Sequence, residues 1–290
     1  MYTWNRPILK ANAKLALQHR YWRGFAVSLV ALLLSGTAIS FFWARWYSDA
    51  MINIWGTMGR LARPSYGSYS FYPRHHSYGY GYGYGSFGGG YTYLQNDLWN
   101  TFLSQLLRYV AVIGVLTIVL LLVRIFLGSV MQVGQARYYV HSRFGDSRFG
   151  IVFSGFRDCY LNVVGAKFTT GLIIWLWSLL LVVPGIVASY RYYYVNFLLA
   201  DNPGLTGSRA RAISRLMTQG EKGRLFVFDL SFLGWMLLAG IVNAFTFGTG
   251  GSALLAPYYM AARAELYIFA RDRAIQAGLL HPAELNLAAA

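Results

Sequence analysis

Long apolar runs constrain this chain more than any other feature. Residues 24–44 form 21 consecutive positions without a charged side chain, and 106–127 form 22 with arginine only near the two ends. About 20 apolar residues in a helix cross a ~30 Å hydrocarbon core. Further runs lie at 169–183, 186–200, 225–247 and 252–270. A soluble domain carries about 25% charged residues, whereas this chain has 12% charged and 56% hydrophobic residues. The expected fold class is therefore all-α, a polytopic transmembrane helix bundle of six hydrophobic segments. The run at 24–44 is too long for the apolar core of a signal peptide, and Phe41, Phe42 and Trp43 crowd the place where small residues belong. It reads as a retained first span.

The formal charge of +15 raises nucleic acid as a partner. The lysines and arginines, however, sit at the ends of apolar runs. That placement orients a membrane protein and attracts anionic lipid, and no nucleic-acid partner is expected. Within 1–23, Arg6, Lys10, Lys14, Arg20 and Arg23 accompany Ile8, Ala11, Leu15 and Trp22 on one helical face. The segment reads either as a cytoplasmic amphipathic helix on the membrane surface or as a solvated basic tail. Cys159 is the only cysteine, so no intramolecular disulfide forms.

Charge also bears on 169–200. The flanking stretches 128–168 and 201–224 are short and rich in Lys and Arg, so both belong on the cytoplasmic side. One crossing between them would separate them, whereas a hairpin bent at Pro184-Gly185 keeps them together. Proline removes a backbone donor and glycine permits a sharp bend. The hairpin is preferred over one long kinked helix. Both termini then lie in the cytoplasm, 24–270 is the transmembrane domain, 45–105 is an external loop and 271–290 is a cytoplasmic tail. Two amphipathic surface helices are expected in the basic stretches. One carries Phe149, Phe153, Phe156 and Tyr160; the other, at 208–219, sets Ile213, Leu216 and Met217 opposite Arg209, Arg211 and Arg215.

The external segment contains a low-complexity stretch, 64–93, with 9 Tyr and 8 Gly among 30 residues. It lacks aliphatic residues for a core and is expected to be disordered. Gly83, Gly85 and Gly88 match a dinucleotide-binding glycine spacing, but without a preceding strand the match is a product of the repeat. His75 and His76 have no further metal ligands nearby. No zinc-protease helix, phosphate loop or nucleophile elbow occurs, so no catalytic, cofactor-binding or metal-binding residues are assigned.

Ionisable and helix-breaking residues within the apolar segments are the remaining candidates, for structural pairing or for a transport path. They are Arg124, Pro184, Gly185, Arg191, Asp229, Arg263 and Glu265. Glu265 is expected to be paired with Arg191 or Arg124, since Arg263 at i−2 faces elsewhere on the helix. Gly240, Ala244 and Gly248 form a small-residue stripe suited to close helix approach.

Several stretches resemble a known family. They are 176–186 (LWSLLLVVPGI) with the tyrosines 190 and 192–194, 199–203 (LADNP), 212–217 (AISRLM) with Gly220 and Lys222, 230–235 (LSFLGW), and 257–259 (PYY) with 264–267 (AELY). The opening Arg6, Lys10 and Tyr21-Trp22 fit as well. The chain resembles the bacterial integral membrane proteins of domain-of-unknown-function family 975, over 1–44 and 105–270. The resemblance implies a multi-span protein of the bacterial inner membrane and no established activity. It also implies a distant similarity to the membrane portion of some glycerophosphodiester phosphodiesterases, from which no catalytic residue carries over. The expected function is a non-enzymatic module that interacts with anionic lipids or with membrane protein partners, including further copies of itself. The alternative is a transporter or export component that uses the broken helix and the intramembrane charges. A membrane enzyme is a third, less favoured class.

Overall fold

The computed structural model describes residues 4–35, 47–56, 58–59, 89–145, 148–157, 159–246 and 249–287, with the side chains of 89–98 excluded. Every regular element among them is helical. The chain divides into two compact units, Trp43–Val119 and the combination of Met1–Phe42 with Leu120–Ala290. The low-complexity glycine pattern, His75 and His76 lie outside the described residues. Residues 89–93, expected to be disordered, instead open a helix.

The elements in chain order are α1 (Arg6–Leu17), α2 (Tyr21–Leu34), α3 (Gly89–Val123), α4 (Ser129–Phe144), α5 (Tyr160–Leu180), α6 (Val182–Arg191), α7 (Val195–Asp201), α8 (Gly207–Met217), α9 (Lys222–Leu230), α10 (Leu233–Phe245) and α11 (Gly250–Gln276). A π turn, Arg124–Gly128, joins α3 to α4, and two short tight helices occupy Phe149–Phe156 and Pro282–Leu285. Among the described residues two helices are long and apolar enough to cross a bilayer: Trp99–Phe144, whose most apolar 18-residue window has a mean hydropathy of 2.9, and Tyr160–Leu180, whose corresponding window has 1.6. The α9–α10 pair, bent by 46°, makes a third if counted as one span. This is fewer than the six segments expected. Helices α2 and α6, with 14 and 10 residues, reach about 21 and 15 Å at 1.5 Å per residue, short of a ~30 Å core.

In the unit Trp43–Val119, residues 47–56 are helical and α3 turns Leu107, Val110, Val115 and Ile118 outward, each more than half exposed.

The larger unit has one packed core. Helix α7 is buried through Val195, Phe197, Leu198, Leu199 and Ala200, and lies against α4. On α4, Gly134 admits the backbone of Val152 from the Phe149–Phe156 helix; an added Cβ would meet the Val152 carbonyl oxygen. That helix is tighter than the α-helix expected there, and Phe149, Phe153, Phe156 and Tyr160 form a row of successive ring contacts on its outer side. Helix α2 is tied to α4 by the Tyr139 hydroxyl, which donates to the Gly24 carbonyl at 2.9 Å and lies 2.8 Å from Ser28 Oγ.

Helix α1 is docked on α11 rather than a solvated tail. Leu9, Ala13 and Leu17 are buried, Lys10 Nζ donates to the Ser231 carbonyl at 3.1 Å, and the Lys10 ammonium rests 4.2 Å from the Phe232 ring centroid. Ile8, Ala11, Leu15 and Trp22 remain exposed, so α1 has one face in the protein and a second apolar face outside it. Helix α8 is amphipathic, with Ala210, Ile213 and Met217 buried, and is capped by the Thr206 side chain, which accepts from the Arg209 amide. Gly240 and Ala244 face open surroundings and Gly248 lies outside the described residues, so the small-residue stripe seats no helix among the described ones. The close approach occurs instead at Gly251, where an added Cβ would meet the Ala239 backbone.

Helices α5 and α6 pack antiparallel as a hairpin, with its apex at Leu181, which has an extended backbone (φ −160°, ψ 148°). The bend lies three residues before Pro184. Pro184 sits in the first turn of α6, where backbone N–H groups have no intrahelical acceptor to lose. Gly185 is the point of closest approach, against Ser178. Helix α5 begins after Cys159, which is exposed and adopts the left-handed conformation at φ 52°, ψ 41°.

Candidate functional site

Where the hairpin meets α9 and α11, the structure brings together polar groups distant in sequence. Asp229, the penultimate residue of α9, accepts hydrogen bonds from three phenols. Tyr193 and Tyr259 donate to Oδ1 at 2.8 and 3.1 Å, and Tyr190 donates to Oδ2 at 3.1 Å. The rings of Tyr190 and Tyr193 stack at 5.8 Å. Arg263 on α11 lies over the Tyr193 and Tyr259 rings, with its guanidinium carbon 4.2 Å from the Tyr193 centroid and 5.4 Å from that of Tyr259. Its Nε is buried without a hydrogen-bond partner, and no carboxylate lies within ion-pair distance among the described residues. Lys167, two turns into α5, donates to Gln132 Oε1 at 3.0 Å and Asn196 Oδ1 at 2.6 Å.

Lys167, Tyr190, Tyr193, Asp229, Tyr259 and Arg263 line one cavity of about 320 Å³. Its serine and threonine hydroxyls are turned to backbone carbonyls. Thr170 Oγ1 donates to the Ala166 carbonyl and Ser189 Oγ to the Ile186 carbonyl. Asp229 already accepts at both oxygens. No group of three or more His, Cys, Asp or Glu suited to a metal occurs among the described residues.

A second, larger cleft of about 620 Å³ is lined by residues of α1, α2, α10 and α11. It is lined mainly by apolar side chains, among them Leu17, Trp235, Leu238 and Leu254, with Lys14 at its edge.

The other sequence candidates are dispersed. Arg124 is exposed within the π turn, where the Tyr160 hydroxyl donates to the nearby Phe126 carbonyl at 3.3 Å. Arg191 closes α6. Its carbonyl accepts from Ser214 and Thr218, and its Nε is buried without a partner. Glu265 pairs with neither of the arginines expected for it. Its partner is Arg143, with Nε 2.6 Å from Oε1. Helix α4 continues to Phe144, through sequence read as a loop, and carries Arg143 to α11. Only Asp229 and Arg263 of the candidates reach the polar cavity.

Sequence reasoning missed Lys167 and the three phenols. Lys167 stands two residues before a run taken as a span, and the tyrosines entered only as part of a resemblance. It also missed the buried ion pair of Arg271 with Asp201 (3.2 Å), where the Tyr267 hydroxyl donates to the same carboxylate oxygen at 2.6 Å.

A family model, described as a protein of unknown function (DUF975), matches residues 95–274. The chain belongs to this family. The DUF975 match covers α4 to α11 and both sides of the polar cavity, and leaves α1 and α2 outside. No curated protein and no solved structure matches the chain.

Proposed function

We propose that this protein is a multi-span membrane protein that engages lipids or partner proteins without catalysing a reaction. The observation that carries the reading is the helix Trp99–Phe144. Its most apolar window has a mean hydropathy of 2.9 and none of that window is buried in the protein. An apolar surface of that extent is untenable in water and natural in hydrocarbon. The apex of the α5–α6 hairpin supports it, since Leu179, Leu180, Leu181, Val182 and Val183 are each more than 60% exposed. The apolar cleft beside α1, with Lys14 at its edge, has the form of a site for an acyl chain beside an anionic headgroup.

In this reading both termini and the basic loops are cytoplasmic, in a bacterial inner membrane, and the Leu181 apex points outward. A periplasmic-type reporter fused after Ala290 stays inactive, and one inserted near Gly88 is active. A cysteine at Val183 reacts with an impermeant thiol reagent from outside, and one at Asn202 does not. Reaction at Asn202 from outside overturns the topology. Release of the chain by alkaline carbonate overturns the membrane reading itself.

The second reading, a transporter or export component, is favoured by one feature. The hairpin break places a polar cavity beside apolar helices, as broken helices do in transporters. Flux of a substrate into proteoliposomes, lost on substitution of Asp229 or Arg263, would support it over the first.

A further inference from the structure

The polar cavity holds donors that no acceptor takes up. Lysine has three N–H donors, and Lys167 uses two of them on Gln132 and Asn196. Arg263 Nε is buried and unused. Arg211 stands beside the cavity, donating to Thr169 Oγ1 at 2.7 Å and approaching the lining Thr170 hydroxyl at 3.5 Å. On the acceptor side, Asp229 is the only carboxylate that lines the cavity, and three phenols occupy it. The charged lining groups Lys167, Arg263 and Asp229 sum to +1, before Arg211 is counted. A cation withdrawn from water without a matching anion is costly, and here Lys167 and Arg263 share a single carboxylate.

From this geometry we infer that the cavity binds a phosphate anion, with Lys167 and Arg263 as its binding cations. A phosphate offers several acceptor oxygens around one centre and so can accept from donors on different helices. Asp229 is a positioning residue. By holding the Tyr193 and Tyr259 hydroxyls it fixes the rings on which the Arg263 guanidinium lies. A volume of about 320 Å³ suits a headgroup-sized group rather than a whole lipid. The exposed lining residues Gly171 and Ser189 mark its mouth. Leu172, Ile186 and Phe226, on α5, α6 and α9, are exposed apolar side chains against which acyl chains can lie. The phosphate is therefore that of an anionic phospholipid or a free phosphate. The lipid source rests on the membrane reading above, whereas the phosphate chemistry does not.

The test uses the full chain in phosphatidylcholine nanodiscs, with phosphatidylglycerol titrated in and retained lipid counted by native mass spectrometry. A parallel arm adds inorganic phosphate to the protein in detergent and reads thermal stability. Lys167→Met and Arg263→Gln each weaken phosphatidylglycerol retention about tenfold, equivalent to about 1.4 kcal/mol. Lys167→Arg retains most of it, and Arg124→Gln, an exposed cation away from the cavity, leaves it unchanged. Competition by inorganic phosphate together with stabilisation in detergent identifies free phosphate as sufficient. Retention without competition identifies the lipid headgroup. If Arg263→Gln does not fold, Lys167→Met and Lys167→Arg decide alone. Equal lipid retention by wild type and Lys167→Met, with no phosphate-induced stabilisation, overturns the proposal. The detergent arm gives its answer even if carbonate extraction removes the membrane reading.

Discussion

Gly185→Ala separates the hairpin from a single long helix by the sign of its effect. A Cβ at Gly185 would stand 2.2 Å from Ser178 Oγ, 2.8 Å from its Cβ and 2.7 Å from its Cα. The hydroxyl can rotate away, but the Cα belongs to the backbone of α5. Carbon atoms pack at about 3.5–4.0 Å, so the two arms must part by roughly 1 Å. Overpacking of this kind costs about 1–3 kcal/mol. Against it stands the helix propensity gained on replacing glycine, about 1 kcal/mol in a helix interior. Gly185 is the fourth residue of α6, where that gain is smaller. The hairpin therefore predicts a net loss of about 1–2 kcal/mol, and one continuous helix predicts a gain of up to about 1 kcal/mol. Thermal unfolding in detergent, followed by intrinsic fluorescence, measures the difference. Ser178→Gly removes two of the three obstructing atoms, so in the Gly185→Ala background it recovers part of the loss. A Gly185→Ala variant more stable than the wild type would refute the packed hairpin.

Three further predictions address the ion pairs and the polar cavity. Glu265 and Arg143 have side-chain exposures of 8% and 46%, between a buried and a surface pair, so a double-mutant cycle with alanine should give a coupling of about 1–2 kcal/mol. The same cycle with Arg191 or Arg124 should be additive, and a larger coupling there would contradict the geometry. Asp229→Leu strands three phenol hydroxyls and should lower stability by about 2–4 kcal/mol, whereas Asp229→Asn keeps an acceptor and loses less; equal losses would mean the hydrogen bonds are not made. At the C-terminal end, Arg209 holds the Glu284 carboxyl below its ordinary 4.5, chiefly through their hydrogen bonds. With the folded value depressed, this contact contributes above pH 4.5 and is lost as pH falls through the lower, folded value. A spin label at Ala283→Cys should therefore become mobile at acid pH in the wild type and be mobile at neutral pH in Arg209→Gln. Identical labels in the two proteins would remove the contact from the account.

The helical class was legible because apolar run length and Lys/Arg placement are properties of consecutive residues. The amphipathic face of α8 was legible for the same reason, since Ile213 and Met217 recur at helical spacing. The apex of the hairpin was misplaced because proline was read as a breaker. In the first turn of α6, Pro184 has no hydrogen bond to lose, and the extended residue is Leu181, which carries no turn signal. Arg143 was missed as the partner of Glu265 because it lies beyond an apolar run, where α4 nevertheless continues. The polar cavity was half visible: Asp229 and Arg263 stood out as charges in apolar sequence. The phenols that hold Asp229 come from positions 30 to 39 residues away, and only the tertiary fold brings them together.

The backbone at Cys159 has a practical consequence for thiol labelling. That residue is left-handed and exposed, and its conformation penalises most residues that carry a Cβ. Asparagine and glycine occupy that conformation most readily. The chain's single native thiol is therefore best retired as Cys159→Asn or Cys159→Gly rather than as the customary alanine or serine. The resulting cysteine-free parent should match or exceed the wild type in thermal stability, giving every introduced label an undisturbed reference.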